Sequence, residues 1–279
     1  MKIIDAKEIT KLVKNMCIEA NVCLPEDTYT AICNAKKTES SNIGKDILDK
    51  LIINADLAKE EKLPICQDTG YAVFFIDAGQ EVYINGSLTD AVNEGVRQGY
   101  SEGYLRKSVV SDPLLRVNTN DNTPAIINYD IVGGDQLKIT FAPKGFGSEN
   151  MSAIKMLTPS AGYEGVVDFV LDTVKKAGSN PCPPIVVGVA VGGDFELAAK
   201  LSKKALTLEI GTYNEKPLYR KMQDELLTKI NKTGIGPSGL GGSTTALWVN
   251  IIDHPTHIAG LPAAVNICCH VSRHLTKTL

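Results

Sequence analysis

The sequence predicts a mixed α+β protein, with a helical N-terminal lobe over residues 1–62 and a mixed α/β region over residues 63–279, the two joined as one continuous domain. Three observations predict it. Apolar residues recur at the helical period through the first sixty or so positions. From about residue 63 the texture changes to short β-branched runs punctuated by Gly and Pro. Between those runs, helical patterns return.

In the lobe, Ile9, Leu12, Val13, Met16 and Cys17 fall on one face of a first helix. A second helix is predicted at about 26–36, after Pro25-Glu26-Asp27. A third is predicted at about 43–60, where Ile43, Ile47, Leu48, Leu51 and Ile52 make a stripe. Cys17 and Cys33 lie in or near these stripes and read as core, because free cysteine packs as a small hydrophobe; Cys23 reads the same way. Leu63 to Gly70 is a loop ending in turn residues, and Tyr71 to Ile76 is a β-rich run. A helix is predicted over 87–106, with Ser87 as N-cap. Two short apolar runs within 124–141, set around Gly133-Gly134, predict a hairpin. Further helices are predicted at about 162–177, 194–206 and 216–231, and strands at Ile185 to Val191 and Leu247 to Ile252. No internal repeat or low-complexity tract is evident.

Composition narrows the function classes. Of the 279 residues, 43% are hydrophobic and 22% charged, which is ordinary for a folded chain and argues against wholesale disorder. Lys and Arg number 29 against 32 Asp and Glu, with no basic block, so a nucleic-acid binder is not expected. No apolar run reaches the ~20 residues a membrane helix needs. The N-terminus has acids early and no long apolar stretch, so it does not read as a signal peptide, and a cytoplasmic setting is expected. The seven cysteines are an odd count and contain no C-x-x-C pair. They read as thiols or metal ligands rather than as a disulfide framework, a zinc ribbon or a ferredoxin-type run.

Chemistry is expected on loops. The Cys66 loop, Arg116 to Pro124, Lys144 to Asn150, Asn180 to Pro184 and Gly234 to Thr245 are richer in Gly, Pro and polar residues than simple turns require. A sixth segment, His254 to His270, holds three of the four histidines and two cysteines. Gly234 to Thr245 lacks the lysine of a phosphate-binding P-loop, although its backbone amides could receive an anion. Cys66, Cys182 and Cys269 each border a Gly- or Pro-rich loop or carry polar neighbours. They stand too far apart for a local metal motif. Three thiolates without a fourth would suit a site with one open coordination position, where an exposed metal acts as a Lewis acid.

At these residues the chain resembles the α subunit of the two-subunit class I fumarate hydratases, the iron–sulfur hydro-lyases that include L-tartrate dehydratase. The resemblance spans nearly the whole sequence. It rests on Ile65-Cys-Gln-Asp-Thr-Gly70, Asn118-Thr-x-x-Asn-x-Pro124, Lys144-Gly-x-Gly-Ser-x-Asn150, Cys182-Pro-Pro184, Gly192-Gly193, and His257 with Pro262 and Cys269. Each is weak alone; all six in order are specific.

The resemblance implies a 4Fe–4S cluster held by Cys66, Cys182 and Cys269, with one iron left open for substrate, so that the region after residue 62 is the cluster-binding region. Cys268, beside the third ligand, is implied to point elsewhere, into packing. Gln67 is implied to contact substrate, and Asp68 to lie near the proton-transfer machinery. An Asx-type turn at Asp68-Thr69-Gly70 is compatible with that role. Arg106 is implied to bind a substrate carboxylate, which suits a guanidinium fork; Arg116 is its nearest competitor. Gly147 is implied to bring backbone close to a small ligand, and His257 to orient or relay a proton. No role attaches to His254, His270 or His274.

The implied reaction is reversible hydration of fumarate to L-malate, with L-tartrate dehydration as the alternative. The implied partner is a β subunit carrying the carbon-proton base, a threonine, with further arginines and a lysine, in an α2β2 assembly; this chain ends where that domain would begin. A fully ligated redox or iron-sensing protein is the competing reading from another class. A scaffold that has lost its cluster is the third.

Overall fold

A computed structural model describes residues 2–279 and divides the chain into two units, Met1–Pro25 with Ala55–Phe146 and Arg273–Leu279, and Glu26–Asn54 with Gly147–Ser272. In chain order, β1 (Lys2–Asp5) leads into α1 (Ala6–Val22), α2 (Glu26–Thr38) and α3 (Asn42–Glu61). β2 (Tyr71–Gly79) and β3 (Val82–Asn85) precede α4 (Leu88–Glu102). β4 (Ile126–Val132), β5 (Leu137–Lys144), the single-turn α5 (Phe146–Glu149) and β6 (Ala153–Leu157) follow. Then come α6 (Gly162–Ala177), β7 (Ile185–Gly193), α7 (Phe195–Ala205) and α8 (Pro217–Asn231), and last β8 (Ala246–Thr256), β9 (Leu261–Cys268) and β10 (Leu275–Thr278). The mixed α+β class expected from the sequence is the class observed.

Local signals set the helix ends. Asp5 caps α1 by accepting from the Lys7 amide, Ser87 caps α4 through the Asp90 amide, and Asp194 caps α7 through the Leu197 amide. Pro217 opens α8 at a position where its missing N–H is not needed.

Each unit wraps one four-stranded sheet. In the first, the order is β10-β5-β2-β4, with β2 parallel to β4 and antiparallel to β5, and β10 antiparallel to β5. In the second, the order is β6-β9-β7-β8, with β7 parallel to β8 and antiparallel to β9, and β6 antiparallel to β9. The two sheets therefore share one plan, although no repeat is visible in the sequence.

In the first unit, Ile9, Val13, Met16 and Cys17 of α1 pack with Val92, Val96 and Tyr100 of α4 and with Phe74, Ile76, Ile139 and Phe141 of the sheet. Each such fully buried side chain contributes roughly 1.5–3 kcal/mol. The α1–α4 approach depends on glycine: a Cβ on Gly95 would sit 2.6 Å from Val13 Cβ, and one on Gly99 2.7 Å from Cys17 Cβ. In the second unit, the valines of α6, with Leu226 and Ile230 of α8, cover Val187, Val189, Val249, Ile251, Val265 and Ile267.

Two expectations are corrected. The runs around Gly133-Gly134 are strands but not a hairpin, because β2 lies between β4 and β5 and pairs with both. The intervening turn crosses the end of β2, where the Glu81 amide donates to the Gly134 carbonyl and the Gly79 amide to the Gln136 carbonyl. The segment from His254 to His270 is mostly strand rather than loop, since β8 and β9 occupy most of it. Of the helices that the sequence groups as one N-terminal lobe, α1 belongs to the first unit and α2 to the second. Among the described residues no helix is long and apolar enough to cross a membrane.

Candidate active-site loops

Strand register gathers the loops. In the first unit, Tyr71 opens β2 opposite Lys144, the last residue of β5. The Cys66–Gly70 loop that enters β2 therefore meets the Lys144-Gly145-Phe146 turn that leaves β5. In the second unit, Val186 near the start of β7 pairs with Cys268, the last residue of β9. The Cys182-Pro183-Pro184 loop that enters β7 therefore meets Cys269 and His270 as they leave β9. The same corner of the shared sheet plan is used twice.

The Cys66 loop is held from several sides. Cys66 Sγ lies 3.5 Å from Gln67 Oε1 and accepts from the Asp68 amide at 3.4 Å. Asp68 Oδ1 accepts from the Gly70 amide at 3.0 Å, the Asx turn the sequence suggested. Asp68 Oδ2 accepts from the Phe146 amide at 3.0 Å. The Arg106 amide donates to Thr69 Oγ1 at 3.0 Å, and that hydroxyl lies 3.3 Å from the Arg106 carbonyl. Arg106 thus leaves the backbone beside the Cys66 loop, and it is exposed, as is Gln67. The Asn122 amide group donates to the Gly70 carbonyl at 3.3 Å while its oxygen accepts from the Ser108 amide at 2.8 Å, so the Asn118–Pro124 motif braces the same loop. The Arg116 amide is tied instead to the Asp112 carbonyl at 2.9 Å, in an arm that the Val110–Asn118 bridge closes.

In the second unit, Cys182 is exposed and its φ is 54°. Its carbonyl accepts from the His270 amide at 3.4 Å, and His270 Nδ1 lies 3.0 Å away. A carbonyl cannot donate, so Nδ1 carries a proton there. Cys269 is half-buried, and Cys268 is buried as expected. The Pro183 carbonyl accepts from the Ser238 amide at 2.8 Å, which ties the Gly234–Thr245 loop to the Cys182 loop. The anion cradle at the end of that loop is filled from within the chain. The buried Glu39 carboxylate occupies it, accepting from the Ser243 and Thr244 amides at 2.8 Å each and from the Ser41 amide at 2.8 Å. Burial alone would raise the Glu39 pKa, but these donors and the Ser243 hydroxyl reverse that and bring it down to about 2.

His257 lies exposed between β8 and β9, and its Nδ1 accepts from the Ala259 amide at 3.2 Å. In the neutral ring the proton is then on Nε2. Gly147 is exposed, and a Cβ there would meet nothing closer than the Asn180 carbonyl at 3.9 Å. Packing within the unit therefore does not demand glycine at 147. A cavity of about 700 Å³ between β6 and α6, lined in part by Lys155, Asp168, Asp172 and Lys176, contains none of the sequence-predicted residues.

The first unit holds Cys66, Gln67, Asp68 and Arg106; the second holds Gly147, Cys182, His257 and Cys269. Within neither unit do three His, Cys, Asp or Glu side chains converge as a metal-binding group among the described residues. As a donor set, Cys66, Cys182 and Cys269 fit an iron–sulfur centre. Each sits at a loop where a strand begins or ends, half-buried or exposed, and none is in a disulfide. Cys17, by contrast, is sealed in the core, and burial pushes its thiol pKa well up. Sequence reasoning gave no role to Tyr100, Arg273 or Glu39, and marked Asn122 only as part of the Asn118–Pro124 motif. All four act on loop backbone from far along the chain, and Tyr100 and Glu39 lie in no local motif that would have marked them.

A model of the family described as Fumarate hydratase (Fumerase) matches residues 10–278. A protein of Methanocaldococcus jannaschii named "Putative L(+)-tartrate dehydratase subunit alpha" is 42% identical over 281 residues, covering 98% of each chain. The L(+)-tartrate dehydratase subunit alpha of Escherichia coli (strain UTI89 / UPEC) is 32% identical over 273 residues, covering 96% of this chain and 90% of its own.

Proposed function

Because the chain belongs to the fumarate hydratase family, we propose that it is the α subunit of a 4Fe–4S-dependent hydro-lyase acting on a four-carbon dicarboxylate. The observation that carries this reading is the way the Cys66–Gly70 loop, the Arg106 backbone and the Lys144–Phe146 turn are bonded together within one unit. Cys66, Cys182 and Cys269 would hold the cluster. When bound, it supplies a Lewis-acidic iron that assists departure of the substrate hydroxyl.

This chain's own residues bind and orient. The exposed Arg106 guanidinium offers two parallel donors to one substrate carboxylate. Gln67, next to Cys66, contacts the substrate's polar edge. The absence of a side chain at Gly147 leaves room for backbone to approach it. Asp68 holds the Gly70 and Phe146 amides, and so sets the shape of the loop while lying near the proton transfer. His257, whose Nδ1 accepts from the Ala259 amide, would donate or relay a proton through Nε2.

We assign the carbon-proton base to a β subunit, in keeping with relatives named as subunit alpha, and propose an α2β2 assembly. Seven cysteines without a disulfide agree with a reducing, cytoplasmic setting. The family description favours fumarate hydration to L-malate, whereas the names of the relatives favour L(+)-tartrate. A site that must hydrogen-bond the extra tartrate hydroxyl can discriminate strongly between the two.

The test is anaerobic reconstitution of the chain with its β partner, followed by steady-state assays on fumarate, L-malate and L-tartrate. Four irons per α subunit and turnover that requires both subunits are expected. Full-rate turnover by the isolated chain would overturn the division of labour. A loaded complex that turns over none of the three and shows only a reversible one-electron signal would favour the sensor reading.

A further inference from the structure

Arg273 is only 5% exposed. Its Nη2 donates to the Asp68 carbonyl at 2.6 Å, within the first unit. Its Nε and Nη1 are buried and have no hydrogen-bond partner among the described residues. An unmet buried donor is costly, and more so on a charged group, so a guanidinium with two of them calls for a reason.

Neither packing nor the Asp68 carbonyl supplies that reason. An apolar side chain could fill the volume, and a lysine could donate the single bond that the carbonyl receives. The Asp68 carboxylate accepts from the Gly70 and Phe146 amides. The nearby Tyr100 hydroxyl donates to the Thr69 and Gly70 carbonyls. The charge of Arg273 is felt at that phenol, yet no hydrogen bond joins the two side chains. The residue whose carbonyl Arg273 grips also donates its amide to Cys66 Sγ, so the cation stands beside the thiol-bearing loop.

We propose that Nε and Nη1 of Arg273 receive an anion held beside the Cys66–Gly70 loop, which makes Arg273 an anion-binding residue of the candidate site. The inference rests on the hydro-lyase reading. Two anions share the required chemistry. One is the thiolate-ligated cluster, whose sulfurs accept N–H hydrogen bonds that raise its reduction potential. The other is a substrate carboxylate.

The experiment compares Arg273→Lys and Arg273→Met with wild type in the anaerobically reconstituted α–β complex. Melting and iron content establish folding and loading. EPR-monitored potentiometry reads the cluster, and kcat and KM are measured on whichever dicarboxylate wild type turns over. If the cluster is the anion, the Met variant shifts the midpoint potential negative, Lys gives a smaller shift, and KM stays within about twofold. If the carboxylate is the anion, KM rises about tenfold or more in both variants while the potential holds. Should the Met variant fail to fold, the Lys variant decides. A Lys variant that matches wild type in both potential and KM overturns the inference alone. A wild type that loads no iron and turns over no substrate overturns the hydro-lyase reading, and this inference with it.

Discussion

The buried Tyr100 hydroxyl lies 2.9 Å from the Gly70 carbonyl oxygen, and also 2.9 Å from that of Thr69. One phenolic proton is shared between two acceptors, and it fixes the step at which the Cys66 loop becomes strand β2. Burial keeps the phenol protonated, because its pKa is pushed well above the usual tyrosine range. Tyr100→Phe keeps the ring and removes the proton, leaving the Thr69 carbonyl without that donor. A loss of about 1–3 kcal/mol in unfolding free energy is expected in denaturant titration. An unchanged midpoint would mean that the hydroxyl does not hold the loop.

Glu39 ties its own helix end to the Ser243–Thr244 backbone, and it should make stability depend on pH. Its folded pKa of about 2 lies below the ordinary value of 4.5, so the contribution is fully present above about pH 4.5 and is lost as pH falls toward 2. The size is about 3 kcal/mol. Glu39→Gln should lose most of this at neutral pH and flatten the stability profile between pH 4.5 and 2. A variant whose profile in that window parallels wild type would assign the effect to other carboxylates.

Gly70 has φ of 82°, and a Cβ there would lie 2.7 Å from the Lys144 amide nitrogen and 2.8 Å from the Pro143 carbonyl carbon. Both contacts are backbone and cannot swing aside. Gly70→Ala should therefore destabilise the first unit by at least ~1–3 kcal/mol and reduce iron retention after reconstitution. A melt equal to wild type would show that the turn relaxes without cost.

The cysteines should sort by environment. Under native conditions without iron, alkylation followed by mass spectrometry should mark the exposed Cys182 first and Cys17 last, with Cys268 slow. Serine at Cys66, Cys182 or Cys269 should each reduce bound iron after reconstitution, whereas Cys268→Ser should not. Iron retained by all three variants would remove the ligand assignment.

Much of the local structure was legible because its causes are local. Ser87, Asp194 and Pro217 mark helix starts by chemistry within a few residues, and the apolar stripes of α1, α6 and α8 report which face is covered. The hairpin expected around Gly133-Gly134 failed for a physical reason. A glycine turn looks the same in sequence whether its flanking strands pair with each other or straddle a third. Only competition for the almost wholly buried β2 decides between them. The same ambiguity hid β9 inside the histidine-rich segment, because β8 and β9 also straddle a strand, β7.

By itself the sequence determined the class of fold, the family resemblance and the residue types that could bind a cluster and a dicarboxylate, since composition, periodicity and motif order are carried along the chain. What only the tertiary structure decided was adjacency. Lys144 stands across from Tyr71, and Cys268 across from Val186, because antiparallel register brings the end of one strand to the start of another. The guanidinium of Arg273 reaches the Asp68 carbonyl because its segment returns to the first unit. Such contacts arise from strand pairing and burial between distant segments, and no spacing along the chain encodes them.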